Sequence, residues 1–213
     1  MGEVQVACLF SGGKDSCSSL FCALERAWIP ILVTMKPAPY SMMFHHPNIE
    51  WTKLQAEAMH LPQIFVKPNE GQEELDALEN TLSELDIQGI FTGAIDSDYQ
   101  KQRIDKIGEN LGIPTHSPLW RKKEPMYSEV LQYFETYIIA VSAEGLGPEL
   151  LGTKFQMQKA KGIHPFFEGG EGETFVTDAP FFKKRIIIDK WEKNWDGVRG
   201  VAKIVSAHLS PKR

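Results

Sequence analysis

The sequence predicts an α/β fold, a parallel sheet covered by helices, followed by a smaller C-terminal α+β domain. Three observations carry this prediction: short apolar runs alternate with helix-length segments through the first half, a glycine turn separates the first run from the first helix, and the alternation stops near Trp120. At 213 residues, 42% hydrophobic and 24% charged, the chain is long and apolar enough to bury a core.

Val4 to Phe10 is a near-continuous apolar run, the pattern of a strand buried on both faces of a parallel sheet. Similar runs follow at Ile31 to Met35, Gln63 to Val66 and Ile90 to Ile95, with a weaker one near Ile113 to His116. Helix-length segments lie between them, at Ser16 to Ala27, Ile49 to His60, Gln72 to Leu85 and Tyr99 to Leu111. The third carries Leu75, Leu78, Leu82 and Leu85 at helical spacing, and the fourth Ile104, Ile107 and Leu111, which read as core-facing stripes. Strand-helix-strand repetition of this kind implies right-handed crossovers and ligands bound beyond the carboxyl ends of the strands. Arg121 to Glu124 break the rhythm, so the chain is divided into a domain of residues 1–120 and a smaller one of 121–213. The second part is expected to hold a helix near Met126 to Glu135, strands at Tyr137 to Ser142 and Arg185 to Asp189, glycine-rich loops, and a frayed tail from Ser210 to Arg213.

Lys and Arg number 23 against 28 acidic residues, which is not the basic footprint of a protein that grips nucleic acid phosphates. Cys8, Cys17 and Cys22 are odd in number and form no Cys-x-x-Cys pair, so they read as buried small apolar residues and not as a zinc ribbon or a disulfide framework. Only about ten residues precede the polar glycine loop, too few for the apolar core of a signal peptide, and no later stretch has the length of a membrane span. A soluble, cytoplasmic protein is expected.

Ser11-Gly12-Gly13-Lys14-Asp15-Ser16 stands directly after the first strand and opens the first helix. Two glycines let the backbone curl so that successive N–H groups face one concavity, while the helix start adds roughly half a positive charge and Lys14 a full one. That is an anion site of pyrophosphate size. The common phosphate loop needs Ser or Thr after its lysine, where Asp15 stands, and a further glycine upstream, which the run from Val4 to Phe10 lacks. A strand followed by Ser-Gly-Gly-x-Asp-Ser instead resembles the pyrophosphate loop of the N-type ATP pyrophosphatases, or PP-loop enzymes, of the adenine nucleotide alpha hydrolase-like fold. Their chemistry cuts ATP between its α and β phosphates.

Three further segments bear on function. Tyr40 to Ile49 is an aromatic, histidine-bearing loop at the expected ligand edge; it either covers a nucleotide, grips an acceptor or plugs the start of the next helix. His45 and His46 are adjacent and lack the spacing of helical metal ligands. Gly93 to Arg103 again opens a helix at the carboxyl end of a strand: Asp96 or Ser97 can cap it, and Gln100 and Arg103 share a face suited to substrate or to solvent. Glu168 to Phe182 sets acids between glycines, a pattern able to hold a cation, orient ammonium or take a proton from an amine, and equally the look of a solvated acidic hairpin.

Taken with the loop, Met43-Phe44-His45, Pro47-Asn48-Ile49, Gly93-Ala94-Ile95 followed by Ser97, Tyr99-Gln100 and Arg103, Leu119-Trp120, Gly145-Leu146, Leu151-Gly152 and the Glu168 to Asp178 segment closely resemble the diphthine–ammonia ligase family in its short, archaeal-like form. Gly108 departs from that pattern, since many relatives carry cysteine there. The resemblance implies an ATP-dependent, AMP-forming ligase that amidates diphthine on translation elongation factor 2 with ammonium, through an acyl adenylate, using Mg2+. It implies Ser11, Gly12, Gly13, Lys14, Asp15, Ser16 and Gly93 for the nucleotide, with Asp15 on the metal and Lys14, Asp15, Glu171 and Glu173 catalytic. It implies Tyr40, Phe44, His45, Asn48, Ser97, Tyr99, Gln100, Arg103, Glu168, Gly169, Gly170, Thr174 and Asp178 for the substrate. The partners implied are the modified elongation factor and ammonium, without membrane or nucleic acid, and a homodimer stays open. Two other readings stand beside this one: a transfer-RNA-modifying PP-loop pyrophosphatase and a non-catalytic nucleotide-binding module.

Overall fold

A computed structural model describes residues 3–36, 47–69, 72–95, 97–122, 124–159 and 161–212, with the backbone alone for 124–127. Two compact units emerge. One comprises Met1–Ser11, Asp15–His46 and Leu61–Tyr127, the other Gly12–Lys14, Pro47–His60 and Ser128–Arg213.

The first unit is built on a parallel sheet in the order β3-β2-β1-β4-β5, formed by β1 (Gln5–Leu9), β2 (Ile29–Met35), β3 (Gln63–Val66), β4 (Ile90–Phe91) and β5 (Thr115–His116). Helices α1 (Lys14–Leu24), α3 (Glu74–Ser83) and α4 (Asp98–Leu111) supply crossovers. Its core gathers Ala7, Ile31, Val33, Leu78, Leu82, Ile90, Ile104 and Ile107 with Leu75, Leu85 and Leu111 packed alongside, so both leucine and isoleucine stripes face inward as their spacing predicts. The order reverses direction between β1 and β4, and in such sheets the crevice for a ligand opens beyond the carboxyl ends of those two strands. The apolar run at Ile90 to Ile95 yields only two strand residues, because the chain leaves the sheet at Gly93 to pass the start of α1. A Cβ at Gly93 would lie 2.8 Å from the Asp15 carbonyl carbon and the Ser16 nitrogen.

α4 begins at Ser97, whose side chain accepts from the Gln100 N–H at 3.2 Å, and ends at Gly112 in the left-handed region at φ 66°. Lys101 pairs with Asp105 one turn on, and Asp105 also accepts from the Thr115 hydroxyl at 2.5 Å, which ties the helix to β5. Burial works to raise the Asp105 pKa, but the hydrogen bonds from Lys101 and Thr115 and the Lys101 charge outweigh it and lower the pKa. Burial pushes the Cys8 thiol up to about 12, and burial together with the Asp15 charge holds Cys17 well above its ordinary value, as inert core thiols require.

The second unit holds an antiparallel sheet in the order β7-β6-β9-β8, from β6 (Glu135–Val141), β7 (Gly172–Asp178), β8 (Lys184–Trp195) and β9 (Gly200–Pro211). Helix α2 (Thr52–Met59) packs against β8 and β9, and α5 (Glu124–Leu131) precedes β6. Ile138, Val141, Leu146, Leu151, Phe167 and Ala202 form its core. One sequence expectation is corrected here and one segment gains a definite structure. Residues 172–178, within the segment of acids set between glycines, are a strand, since Thr174, Phe175, Val176 and Thr177 favour extended backbone strongly enough to override the glycines before them. The tail does not fray from Ser210: β9 runs to Pro211 opposite Arg185 and Lys184, and Lys212 Nζ binds Asp178 Oδ1 at 2.7 Å. Asp196 makes the tight β8-β9 turn by accepting from the N–H groups of Val198 at 2.8 Å and Arg199 at 2.6 Å, with Gly197 at φ 105°.

Two predictions follow from this packing. Leu82 is fully buried between α3 and the sheet, so Leu82→Ala should destabilise the protein by about 2–5 kcal/mol in urea unfolding, through lost burial and the cavity left behind. His116 packs with Phe91 at 4.8 Å and Trp28 at 5.4 Å between ring centroids, and burial together with the Arg26 charge lowers its pKa from 6.5. The unfolded chain therefore takes up this proton first as pH falls. The contribution is intact above pH 6.5 and is lost as pH drops through the folded-state pKa, so His116→Gln should show a shallower fall of the urea midpoint on acidification than the parent.

Candidate functional site

The loop predicted to bind a polyanion leaves the carboxyl end of β1, and its lysine is the first residue of α1. The loop is braced from one side in its middle. Gly12 lies in the left-handed region at φ 82°, and a Cβ there would overlap the Gln55 side chain, so glycine is required twice over. The Gly12 carbonyl accepts from the Val176 N–H at 3.0 Å and from Gln55 Nε2 at 2.9 Å, and the Lys14 N–H donates to Thr174 Oγ1 at 3.1 Å. Residues 174 and 176 of β7 thus run alongside residues 14 and 12 of the loop. Ser11 Oγ donates to Ser16 Oγ at 3.3 Å across the turn, and Ser19 Oγ, one helical turn on, donates to the Thr92 carbonyl at 3.0 Å.

Lys14 is buried, 3% exposed, and its ammonium binds Glu168 Oε1 at 3.0 Å, with Glu168 itself 11% exposed. An isolated ammonium at that depth would be costly, and the carboxylate beside it offsets that cost. Glu171, three residues on, accepts from the His164 N–H at 2.8 Å through Oε1, while its Oε2 is buried without a partner among the described residues. Gly170 takes the left-handed conformation, φ 81°, in the exposed turn before β7, and its carbonyl accepts from Ser142 Oγ at 2.6 Å. Glu173 is exposed on β7, Thr174 is buried, and Asp178 at the end of the strand pairs with Lys212.

On the first unit Asp15 is half-buried and Ser16 buried at the head of α1, above which Gly93 passes. Tyr99 is exposed on the first turn of α4 with the Arg103 guanidinium over its ring at 3.4 Å from the centroid, a cation–π stack that presents both on one face. Ser97 is spent on the helix cap beside them. Tyr40, Phe44 and His45 lie outside the described residues.

Asn48 receives a structural use that its motif does not announce. It is 3% exposed; its Nδ2 donates to the Ala202 carbonyl at 2.9 Å and its Oδ1 accepts from the Ile204 N–H at 2.9 Å. Trp51 Nε1 donates to the Ile204 carbonyl at 3.0 Å next to it. Both ends of the Asn48 amide are therefore engaged in docking the start of α2 onto β9. Gln55 was not marked by the sequence at all, although a fully buried glutamine in a short amphipathic helix is the kind of residue that must be hydrogen-bonding something specific.

Among the described residues no three His, Cys, Asp or Glu side chains come together as a metal site, and no helix is long and apolar enough to cross a membrane. Residues 4–115 match the diphthamide synthase N-terminal domain and residues 122–209 the diphthamide synthase C-terminal domain. A diphthine–ammonia ligase from Homo sapiens is 33% identical over 229 residues, covering 89% of this chain and 84% of the relative. One from Danio rerio is 32% identical over 224 residues, covering 89% of this chain and 88% of the relative. A crystal structure described as a predicted subunit of tRNA methyltransferase from Methanocaldococcus jannaschii is similar with a TM-score of 0.43 at 16% identity, covering 68% of this chain and 80% of that one. With both family domains matched in order along the chain, and relatives about one-third identical over most of their length, this protein belongs to the diphthine–ammonia ligase family of ATP-dependent ligases.

Proposed function

We propose that this protein amidates diphthine on translation elongation factor 2 with ammonium, forming an acyl adenylate from ATP and releasing pyrophosphate and then AMP. The observation that carries the proposal is the braced Ser11 to Ser16 loop with its buried Lys14, in a chain whose relatives are named for this reaction. The diphthine carboxylate attacks the α-phosphorus; the bond to the bridging oxygen breaks, and pyrophosphate leaves. Ammonia, formed when ammonium gives up a proton, then attacks the acyl carbon, a second proton is lost, and AMP departs with the bonding pair. A bare carboxylate is a poor electrophile; adenylation supplies the leaving group.

Within this reading residues 1–120 form the ATP-binding domain, which also lends side chains of α4 to the acceptor, and 121–213 form the smaller substrate-binding domain. The loop N–H groups, the Lys14 ammonium and the start of α1 offset charge as pyrophosphate leaves. Glu168 gives up Lys14 to the incoming phosphates. Without three clustered ligating side chains among the described residues, the donor set fits magnesium brought in by the nucleotide, which Asp15 would hold and which would add to the charge offset on pyrophosphate. Tyr99, Gln100 and Arg103 are assigned to the acceptor. Glu171 is assigned to ammonium because its buried Oε2 has a lone pair to offer an N–H, and exposed Glu173 to the proton that the attacking nitrogen sheds.

The test is a reaction of the purified protein with ATP, magnesium, ammonium and elongation factor carrying diphthine, following AMP and the substrate's mass together. Conversion of acid to amide in step with AMP is expected, and Lys14→Ala should lose both by about 100-fold or more, the scale for removing one preorganised charge donor. AMP that forms only when transfer RNA is added would overturn the assignment. Glu171→Gln should raise the KM for ammonium and leave that for ATP unchanged; a parallel rise in both would remove Glu171 from the nitrogen site.

A further inference from the structure

Gln55 lies fully buried in α2 and takes no part in the chemistry above. Its position is nonetheless fixed by two hydrogen bonds from the same nitrogen. Nε2 donates to the Gly12 carbonyl at 2.9 Å and to the Val176 carbonyl at 2.7 Å. Two facing carbonyls can be served only by the amide's N–H groups, so this network also decides which end of the side chain is nitrogen. The other end, Oε1, is buried without a partner among the described residues and stands where a Cβ on Gly12 would be. Leaving that oxygen unsatisfied costs stability, and the fold accepts the cost at a residue whose two donors converge on the loop and the strand beside it.

The geometry of one peptide plane gives the arrangement its meaning. With the Val176 N–H also donating at 3.0 Å, the Gly12 carbonyl is held toward Gln55 and β7. The chain contains no cis peptide bond among the described residues, so the Gly13 N–H must point opposite to that carbonyl, away from Gln55 and β7. Gly12, with no Cβ and φ 82°, could otherwise flip this peptide at low steric cost. A flip would exchange the two, turning the carbonyl to the side that the Gly13 N–H now faces.

We propose that Gln55 is a positioning residue of the nucleotide loop: it locks the Gly12–Gly13 peptide in the orientation that presents the Gly13 N–H to the pyrophosphate portion of ATP before the ligand arrives. This rests on the reading of the loop as the pyrophosphate site. Preorganised donors stabilise a departing anion without reorganising at the moment of reaction, so the residue acts on both binding and the adenylation step.

The experiment compares wild type with Gln55→Met, which keeps the length and apolar contacts and deletes both donors. Affinities for ATP, inorganic pyrophosphate with magnesium, and adenosine are measured by calorimetry, with the melting temperature recorded for each protein. A loss of about tenfold or more for ATP and pyrophosphate, with adenosine affinity kept, is expected. Equal affinities in the two proteins would overturn the inference, and so would a parallel loss for adenosine with a lowered melting temperature, which marks Gln55 as packing alone. Wild-type protein that binds neither ATP nor pyrophosphate would instead sink the reading of the loop. Gln55→Glu gives a second readout, since a carboxylate facing two carbonyls cannot donate and a protonated carboxyl can donate once. Its pyrophosphate affinity, relative to wild type, should rise between about pH 8 and pH 6; a ratio flat across that range counts against the lock.

Discussion

The Gly12 carbonyl is held by a strand and a helix that are remote from it in sequence, and this double acceptance fixes the backbone of the loop. It explains why Gly12–Lys14 group with Pro47–His60 and Ser128–Arg213 although their chain neighbours on either side belong to the parallel-sheet unit. A glycine pair cannot hold a defined concavity by itself, because the freedom that lets it curl also lets it uncurl. The second unit removes that freedom. Val176, Thr174 and Gln55 do for residues 12 to 14 what a neighbouring strand does in a ladder. Asn48 and Trp51 in turn fix α2 against β9, so that Gln55 has a firm base.

The parallel sheet was largely legible from the sequence because its determinants are local. β1 and β2 are apolar on both faces, and the stripes of α3 and α4 repeat at helical spacing, so burial on each could be read from a dozen consecutive residues. The antiparallel sheet was read only in part. β8 carries Lys190, Trp191, Glu192 and Lys193 in a row and β9 mixes Lys203, Ser206 and His208 with apolar residues, so each shows a half-solvated face that weakens the apolar signal. Their twelve-residue length comes from pairing with each other, a gain that neither strand displays alone. β7 was hidden for another reason: the glycines and glutamates before it dominate the composition of the segment, while the four β-favouring residues that decide its conformation follow them.

The site divides along the same line. Six consecutive residues after a strand carry the resemblance to an anion loop, and reading them needs no tertiary information. The supports of that loop come from 43 residues away at Gln55, and Lys14 meets Thr174 across 160 residues, distances at which no periodicity or spacing rule operates. Motif reading also gave Asn48 a ligand role by its place in a distinctive segment. The structure spends both ends of its amide on β9, a reminder that a polar residue inside a motif can serve the scaffold that presents the motif.

On the proposed reading of the loop as a pyrophosphate site, the buried pair of Lys14 and Glu168 has a consequence for selectivity among anions. An anion that reaches this lysine must displace a carboxylate already in place, and the exchange is favourable only when the newcomer brings more charge or more contacts than the one it evicts. Chloride and other small monoanions bring neither. A polyphosphate brings several oxygens at once and can meet the lysine, the helix start and the loop amides together. On that reading the internal carboxylate sets a threshold of valence at the loop, and the abundance of a weak competitor in solution does little to cross it.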